Sequence, residues 1–329
     1  MANSGTYWAG FDLGGTKMYG AIFDDEEFKI RGKERKKTKA SEGVEACIDR
    51  IIETISDAIK DAGIDKKDIK GIGASVPGML DLNKGIVISA PNLTWKKVPI
   101  KDELEKKFNC PVFISNDVDA GVYGEYCFGA GKGARCVVGV FPGTGIGGGC
   151  VYQGQLIRGL VNSCMEIGHI TVLPNGPLCG CGKRGCLETV ASRLAIAQAA
   201  AAAAYRGEAP ALLKSAGTDL SNIRSGALAD AIKDGDQIIE SIVKEAARWL
   251  GVGIASAINL LAPDTVVLGG GLVEAMPELY QREVSASVKE SVVPSFIGVS
   301  KIAIAKLGDD ATVTGAAAWA RKCVVNGAQ

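Results

Sequence analysis

Histidine is almost missing from this chain, with one residue in 329. A Ser-His-Asp hydrolase would have to use that one side chain, and a metal site built on two histidines is excluded. Surplus charge is missing too, since 37 Lys+Arg stand against 37 Asp+Glu. A general nucleic-acid binder carries a basic surplus, so no nucleic-acid partner is expected. The opening residues MANSGTYWAGFDLGG hold no basic stretch and no apolar run, which predicts no signal peptide. No segment approaches about 20 apolar residues free of glycine or charge, so no membrane span is predicted. The phosphate loop GxxxxGKS/T does not occur. With 47% apolar and 22% charged residues, the composition is that of a soluble globular protein, long enough for roughly two domains.

What is abundant is glycine, 43 residues, and there are ten cysteines. Seven cysteines are scattered among apolar neighbours and read as small core residues in a reducing, cytoplasmic setting. Cys179, Cys181 and Cys186 fall close together and are a different signal. The chain alternates strands and helices, an α/β pattern. Strands are predicted at 7–11, 18–23, 69–75, 111–115, 136–141, 148–153 and 265–268. Helices are predicted at 41–62 with Ser41 as N-cap, 118–128, 187–204, 237–261 and 312–322. Residues 207–225 lack periodicity and read as an exposed connection. The basic run 29–39 reads as a solvated strand whose lysines discourage edge pairing, with a polyanion contact as the alternative.

Three constellations carry chemistry. The stretches WAGFDLGGTKMYGAIFDD and VVGVFPGTGIGGGCVYQG share the order strand, Gly-Thr turn, strand, which suggests two similar halves. Gly143-x-Gly145-x-x-Gly148 fits the dinucleotide fingerprint, but such a turn must open a helix, and a β-like segment follows here. Two glycine turns remain, Asp12–Thr16 and Gly143–Gly147, whose N–H groups could cradle phosphate. In GHITVLPNGPLCGCGKRGCLE, His169, Cys179, Cys181 and Cys186 match a Cys₃His zinc site, and four protein ligands make it structural. Asn116-Asp117 ends a strand, where a carboxylate can act as general base; taken alone, the pair reads first as the N-cap of the next helix.

Together these residues resemble the ROK proteins (repressor, open reading frame, kinase), sugar kinases of the actin and hexokinase superfamily. FDLGGTK is similar to the family's first phosphate element and PGTGIGGG to its second. PDTVVLGGG resembles the segment leading to the adenosine pocket, and EIGH with CGCGKRGCLE resembles the family signature in its glucokinase and N-acetylhexosamine kinase version. The resemblance implies a two-domain actin/hexokinase-like (ribonuclease H-like) α/β fold with duplicated hairpin-containing halves and an interdomain cleft. Its smaller domain is expected at 1–118 plus 306–329, and its larger one at 119–305.

The resemblance also implies roles. Asp117 is the base that takes the proton from the sugar hydroxyl. Asn116, Glu166, His169 and Glu188 hold other hydroxyls, with Gly78 and Asn92 as further sugar-side contacts. Asp12 approaches Mg²⁺ through water, and Gly14, Gly15, Thr16, Lys17, Gly143, Thr144 and Gly145 hold the ATP phosphates. Gly269, Gly270 and Gly271 line the adenosine side. Structural Zn²⁺ sits on His169, Cys179, Cys181 and Cys186, so His169 would serve metal and sugar from its two ring nitrogens.

The expected activity is transfer of the γ-phosphate of ATP to a hydroxyl, the 6-OH, of glucose, by a homodimer or homotetramer. Alternatives are an N-acetylmannosamine or N-acetylglucosamine kinase, a polyphosphate-using glucokinase, and a non-catalytic sugar sensor. A repressor would place a helix-turn-helix domain ahead of the sugar fold, and only nine residues precede Gly10. Two departures from the family pattern stand out: Asp119 where Asn is usual, and Pro142 before the second turn.

Overall fold

A computed structural model describes residues 5–160 and 163–327. In chain order the elements begin β1 (Tyr7–Leu13), β2 (Lys17–Asp24), β3 (Ile30–Lys37), α1 (Val44–Asp61), β4 (Ile69–Ser75) and β5 (Met79–Asp81). There follow β6 (Ile86–Ala90), β7 (Trp95–Val98), α2 (Ile100–Phe108), β8 (Val112–Ser115) and α3 (Asp117–Phe128). Next come β9 (Cys136–Pro142), β10 (Ile146–Tyr152), β11 (Gln155–Leu156), α4 (Glu188–Ala191), α5 (Arg193–Tyr205), α6 (Pro210–Ser215) and α7 (Ser225–Lys233). The chain ends with α8 (Gln237–Leu261), β12 (Thr265–Leu268), α9 (Gly271–Ala275), α10 (Pro277–Ser291), β13 (Lys301–Ile304) and α11 (Ala311–Asn326).

Two compact units result, one of residues 1–133, 156–164 and 309–329, the other of 134–155 and 165–308. The first unit takes in all of α3, past residue 118, because α3 packs along α11. Each unit is built on a five-stranded sheet, ordered β3-β2-β1-β4-β8 in the first and β11-β10-β9-β12-β13 in the second. In both, a hairpin pairs antiparallel and its first strand then pairs parallel with a later strand. The repeat seen in the two Gly-Thr hairpins is therefore a repeat of topology. A third sheet, β5-β6-β7, belongs to the first unit.

Local chemistry accounts for most boundaries. Helix α1 buries Cys47, Ile51, Ile55, Ala58 and Ile59, a stripe at helical spacing. Ser41 is not its N-cap: it lies in a short 3₁₀ turn, and Gly43, at φ 95°, breaks the chain before Val44. The helix expected at 187–204 is two helices, because Ser192 is extended and its hydroxyl caps α5 through the Ala195 N–H at 3.2 Å. Residues 207–225 are not a plain connection, since α6 lies there and Leu212 and Ile223 are buried. Of the seven scattered cysteines, Cys47, Cys136, Cys150 and Cys323 are buried as expected, while Cys110, Cys127 and Cys164 are half-buried. All ten are free.

Helix α11 makes the closest packing of the first unit. A Cβ on Gly73 of β4 would fall on the Ala316 carbonyl, and one on Gly315 would fall on the Ala120 carbonyl of α3. The helix thus touches the sheet on one side and α3 on the other with no side chain between. Tyr123 of α3 adds an edge-to-face contact with Trp319, centroids 5.2 Å apart. In a solvated helix Gly→Ala stabilises by roughly 1 kcal/mol. Gly315→Ala should instead destabilise by about 1–3 kcal/mol, because the added methyl overpacks a backbone contact. Urea unfolding of the variant checks the sign, and a stabilised variant would refute the close seam.

Candidate active site

Strands β1, β4 and β8 run parallel, with Asp12 in register with Ser75 and Ser75 with Ser115. Three chain segments therefore leave the sheet side by side at its carboxyl edge, where open α/β sheets bind ligands. They carry Asp12, then Ser75 followed by Gly78, then Asn116 and Asp117. The Ser75 hydroxyl, fully buried, donates to Asp12 Oδ1 at 3.1 Å. Burial, followed by the nearby Asp117 charge, pushes the Asp12 carboxyl up to about 7. Burial likewise raises Asp117, against hydrogen bonds from the Val118 N–H, its own N–H and the Asn116 side chain.

Asn116 is the N-cap of α3: its Oδ1 accepts the Val118 N–H at 2.9 Å. The N-cap reading of Asn116-Asp117 therefore holds, and the cap fixes the turn that presents Asp117. Asp119, one step further, is buried, and its charge faces Arg158. The guanidinium of Arg158 in turn stacks 4.4 Å from the Trp319 ring centre.

The first glycine turn, Gly14 to Lys17, closes through the Gly14 N–H to the Lys17 carbonyl at 2.9 Å. Buried Thr38 pins it twice, its hydroxyl donating to the Gly14 carbonyl at 2.6 Å and its N–H to the Thr16 carbonyl at 2.9 Å. Gly15, Thr16 and Lys17 are exposed. Asn92, in the turn after β6, comes beside Gly15: a Cβ there would sit 3.8 Å from the Asn92 Cβ. Gly78, at φ 102°, packs on the Ser89 carbonyl of β6.

The basic strand β3 is an edge strand, and three of its five cations pair with acids. Arg31 pairs with Asp24 at 2.8 Å, Arg35 with Asp309 at 2.9 Å and Lys36 with Asp57 at 2.6 Å. That is the solvated-edge reading, and the polyanion contact finds no support in it.

In the second unit the corresponding hairpin, β9 and β10, carries the turn Gly143-Thr144-Gly145. No helix follows the turn, so the dinucleotide fingerprint is excluded by structure as it was by sequence. Pro142 ends β9, and its carbonyl lies 2.9 Å from where a Cβ of Gly270 would be. Gly269, Gly270 and Gly271 follow β12 and run into α9, so this segment and the second turn are neighbours. Glu188 Oε2 accepts the Ile146 N–H at 3.0 Å and occupies the space a side chain on residue 145 would need. A side chain at residue 145 would displace the Glu188 carboxylate from that position.

The loop after Glu166 folds back on itself. Glu166 precedes a 3₁₀ turn, Ile167–His169, which lies directly on Gly148 of β10. Backbone bonds from Cys179 N–H to the Lys183 carbonyl (2.8 Å) and Gly182 N–H to the Cys179 carbonyl (2.9 Å) make a tight knuckle. The ligand atoms of His169, Cys179, Cys181 and Cys186 all lie within 4.8 Å of one another. Two pairs are sharper tests: Cys181 Sγ to Cys186 Sγ is 3.7 Å and Cys179 Sγ to His169 Nδ1 is 3.6 Å. Zinc with bonds of about 2.3 Å to sulfur and 2.0 Å to nitrogen gives tetrahedral edges of about 3.8 and 3.5 Å. The donor set fits that ion. Nδ1 is the nitrogen on the thiol side, so Nε2 is left for another partner.

Residues 8–323 match the sequence pattern of the ROK family. The chain belongs to the ROK family. A glucokinase from Thermotoga maritima is 36% identical over 94% of this chain and 95% of its own length. A ROK glucokinase from Streptomyces griseus, solved with glucose and AMPPNP, is 32% identical with a TM-score of 0.82, covering 96% of this chain and 99% of its own. A xylose repressor from Caldicellulosiruptor bescii is 30% identical over 84% of this chain and 69% of its own length. The ROK fold is the two-domain actin-like one, as expected from the motifs.

Three polar residues of this ROK chain escaped the sequence reading: Ser75, Thr38 and Arg193. Ser75 could be found only from strand register, and Thr38 and Arg193 only from contacts with turns distant in sequence. Arg193 donates from Nη2 to Thr144 Oγ1 at 2.7 Å.

The Asp12 shift has a consequence for stability. Between about pH 4 and 7 the folded state holds a proton on Asp12 that the unfolded chain has released, so stability falls as pH rises through that window. Asp12→Asn removes the titration and keeps an oxygen for Ser75. The ligand-free variant should exceed the parent by about 1–4 kcal/mol at about pH 8, and the gap should close below about pH 4. Urea unfolding at the two pH values checks this, and a gap independent of pH would contradict it.

Proposed function

We propose that this ROK chain is an ATP-dependent hexose kinase acting on glucose at the 6-OH. The observation that carries the reading is the half-buried pair Asp12 and Asp117 at the carboxyl edge of β1 and β8. Two carboxyls held up by burial favour a site that receives a cation and a hydroxyl proton, which is what phosphoryl transfer requires. The glucokinase relatives and the neighbour solved with glucose and AMPPNP support the choice of substrates. A non-catalytic sensor, as in the repressor branch, would need neither carboxylate.

In the first unit, Asp117 takes the proton from the hydroxyl as its oxygen attacks the γ-phosphorus. The bond to the bridging oxygen breaks and ADP leaves. Asn116 steadies the charged form of Asp117, and its amide can also orient a hydroxyl; Gly78 and Asn92 lie on the sugar side. Asp12 would hold Mg²⁺, and Gly15, Thr16 and Lys17, in the turn that the Gly14 N–H closes, would hold phosphate with N–H groups and side chains. Mg²⁺ supplies neutralisation of the charge that spreads over the transferring group.

In the second unit, Gly143, Thr144 and Gly145 hold phosphate and Gly269, Gly270 and Gly271 face the adenosine. Glu166, Glu188 and His169 Nε2 take sugar hydroxyls. His169, Cys179, Cys181 and Cys186 would hold zinc with four protein ligands, and the ion would supply a rigid frame and no catalytic water. The setting is the cytoplasm.

Asp117→Asn should retain hexose binding while kcat falls about 10²–10⁴-fold, since only proton removal is lost. Steady-state kinetics with calorimetric sugar binding measure both; near-normal turnover would overturn the assignment. Cys181→Ser should lose zinc by elemental analysis and bind hexose more weakly. Undiminished zinc content would refute the metal site.

A further inference from the structure

The metal loop does not end at its last cysteine. Two residues after Cys186 comes Glu188, whose carboxylate reaches in two directions. Its Oε1 lies 3.8 Å from Cys179 Sγ, and its Oε2 accepts the Ile146 N–H at 3.0 Å, just past the second glycine turn. Five residues further, Arg193 holds the same turn from the other end. Its N–H donates to the Gly143 carbonyl at 2.9 Å and its Nη2 to Thr144 Oγ1 at 2.7 Å. Ser192, buried and capping α5, fixes where α5 starts and hence where Arg193 stands. Residues 143, 144 and 146 are thus each tied to the short stretch 188–193, and that stretch is continuous with the cysteine knuckle.

We infer that the metal loop sets the geometry of the second phosphate turn, and that Arg193 is a positioning residue for Thr144 within it. The glycines make this coupling necessary. A turn of Gly-Thr-Gly has little conformational preference of its own, so its phosphate-ready shape must be imposed from outside. Glu188 and Arg193 impose it with three hydrogen bonds, two of them charge-assisted and so stronger than neutral ones. Glu188 can stand where it does only while Cys179 and Cys186 are held. Loss of the ion frees the knuckle, and the turn loses its outer support. The frame described for the sugar side would therefore reach the nucleotide side as well. For ligand binding this inference rests on the phosphate-turn reading above; for the turn's own order it does not.

Two readouts keep these apart. Amide hydrogen exchange over residues 141–150 in the ligand-free protein reports the turn directly. It should speed up about tenfold when zinc is removed by chelation with the fold retained by circular dichroism, and comparably in Arg193→Ala, which keeps its zinc. Calorimetry with Mg²⁺-AMPPNP and with glucose reports the ligands. Arg193→Ala should weaken the nucleotide analogue about tenfold while glucose binding and zinc content stay as in the parent, a split that general loss of structure would not give. Chelation of Arg193→Ala should then weaken the analogue less than chelation of the parent does, because one of the links is already gone. Exchange over 141–150 that ignores both metal and Arg193 would overturn the inference. A parent that fails to bind AMPPNP, with exchange behaving as expected, would overturn the kinase reading and leave the coupling standing.

Discussion

Helix α11 can lie flat on β1 and β4 and against α3 only because Gly10, Gly73, Gly124 and Gly315 present backbone to backbone. That contact decides where the two carboxylates stand. Asp12 is near the end of the strand that α11 covers, and Asp117 opens the helix that α11 grips from the other side. Interiors packed this closely do not give way by fractions of an ångström, so the relative position of the two acids is set by the seam and not by their own side chains. Both acids then sit where burial raises them, Asp12 to about 7. Such an arrangement disfavours the ligand-free charged state, and a bound cation relieves it.

The second unit solves the matching problem differently. Its turn Gly143-Thr144-Gly145 gets its shape from Glu188 and Arg193, which hang from a knuckle whose four donors fit a tetrahedral ion. One hairpin topology thus serves two kinds of support. The first turn is pinned by buried Thr38, just past a neighbouring strand, and the second by residues that follow the cysteine loop. The repressor relatives share the ROK fold, so chemistry is argued from these side chains and not from the fold.

Much of this was legible in the sequence. Helix α8 and strand β12 were placed residue for residue, since long apolar periodicity and a short β-branched run are strong local signals. The Cys₃His cluster was legible because the chain's one histidine falls close to three crowded cysteines. Helix α6 was missed because its N-terminal N–H groups at Ala211 and Leu212 are accepted by Asp236, about two dozen residues later, at 3.2 and 2.8 Å. No local window contains that cap. Asn116-Asp117 was readable as a cap or as a catalytic pair, and the structure shows how one residue's cap presents the other. Ser75, Thr38 and Arg193 became visible only once strand register and loop packing placed them, because serine, threonine and arginine carry no signal of their own.

The central claim is that this chain moves the γ-phosphate of ATP to a hexose hydroxyl. Phosphorus NMR of the purified protein with Mg²⁺-ATP and a panel of glucose, N-acetylmannosamine and N-acetylglucosamine tests it most directly. The account predicts that glucose yields ADP and a 6-phosphomonoester in equal amounts, with no phosphate released to water. ADP formed without a sugar phosphate, or no turnover with any hexose on the panel, would contradict it.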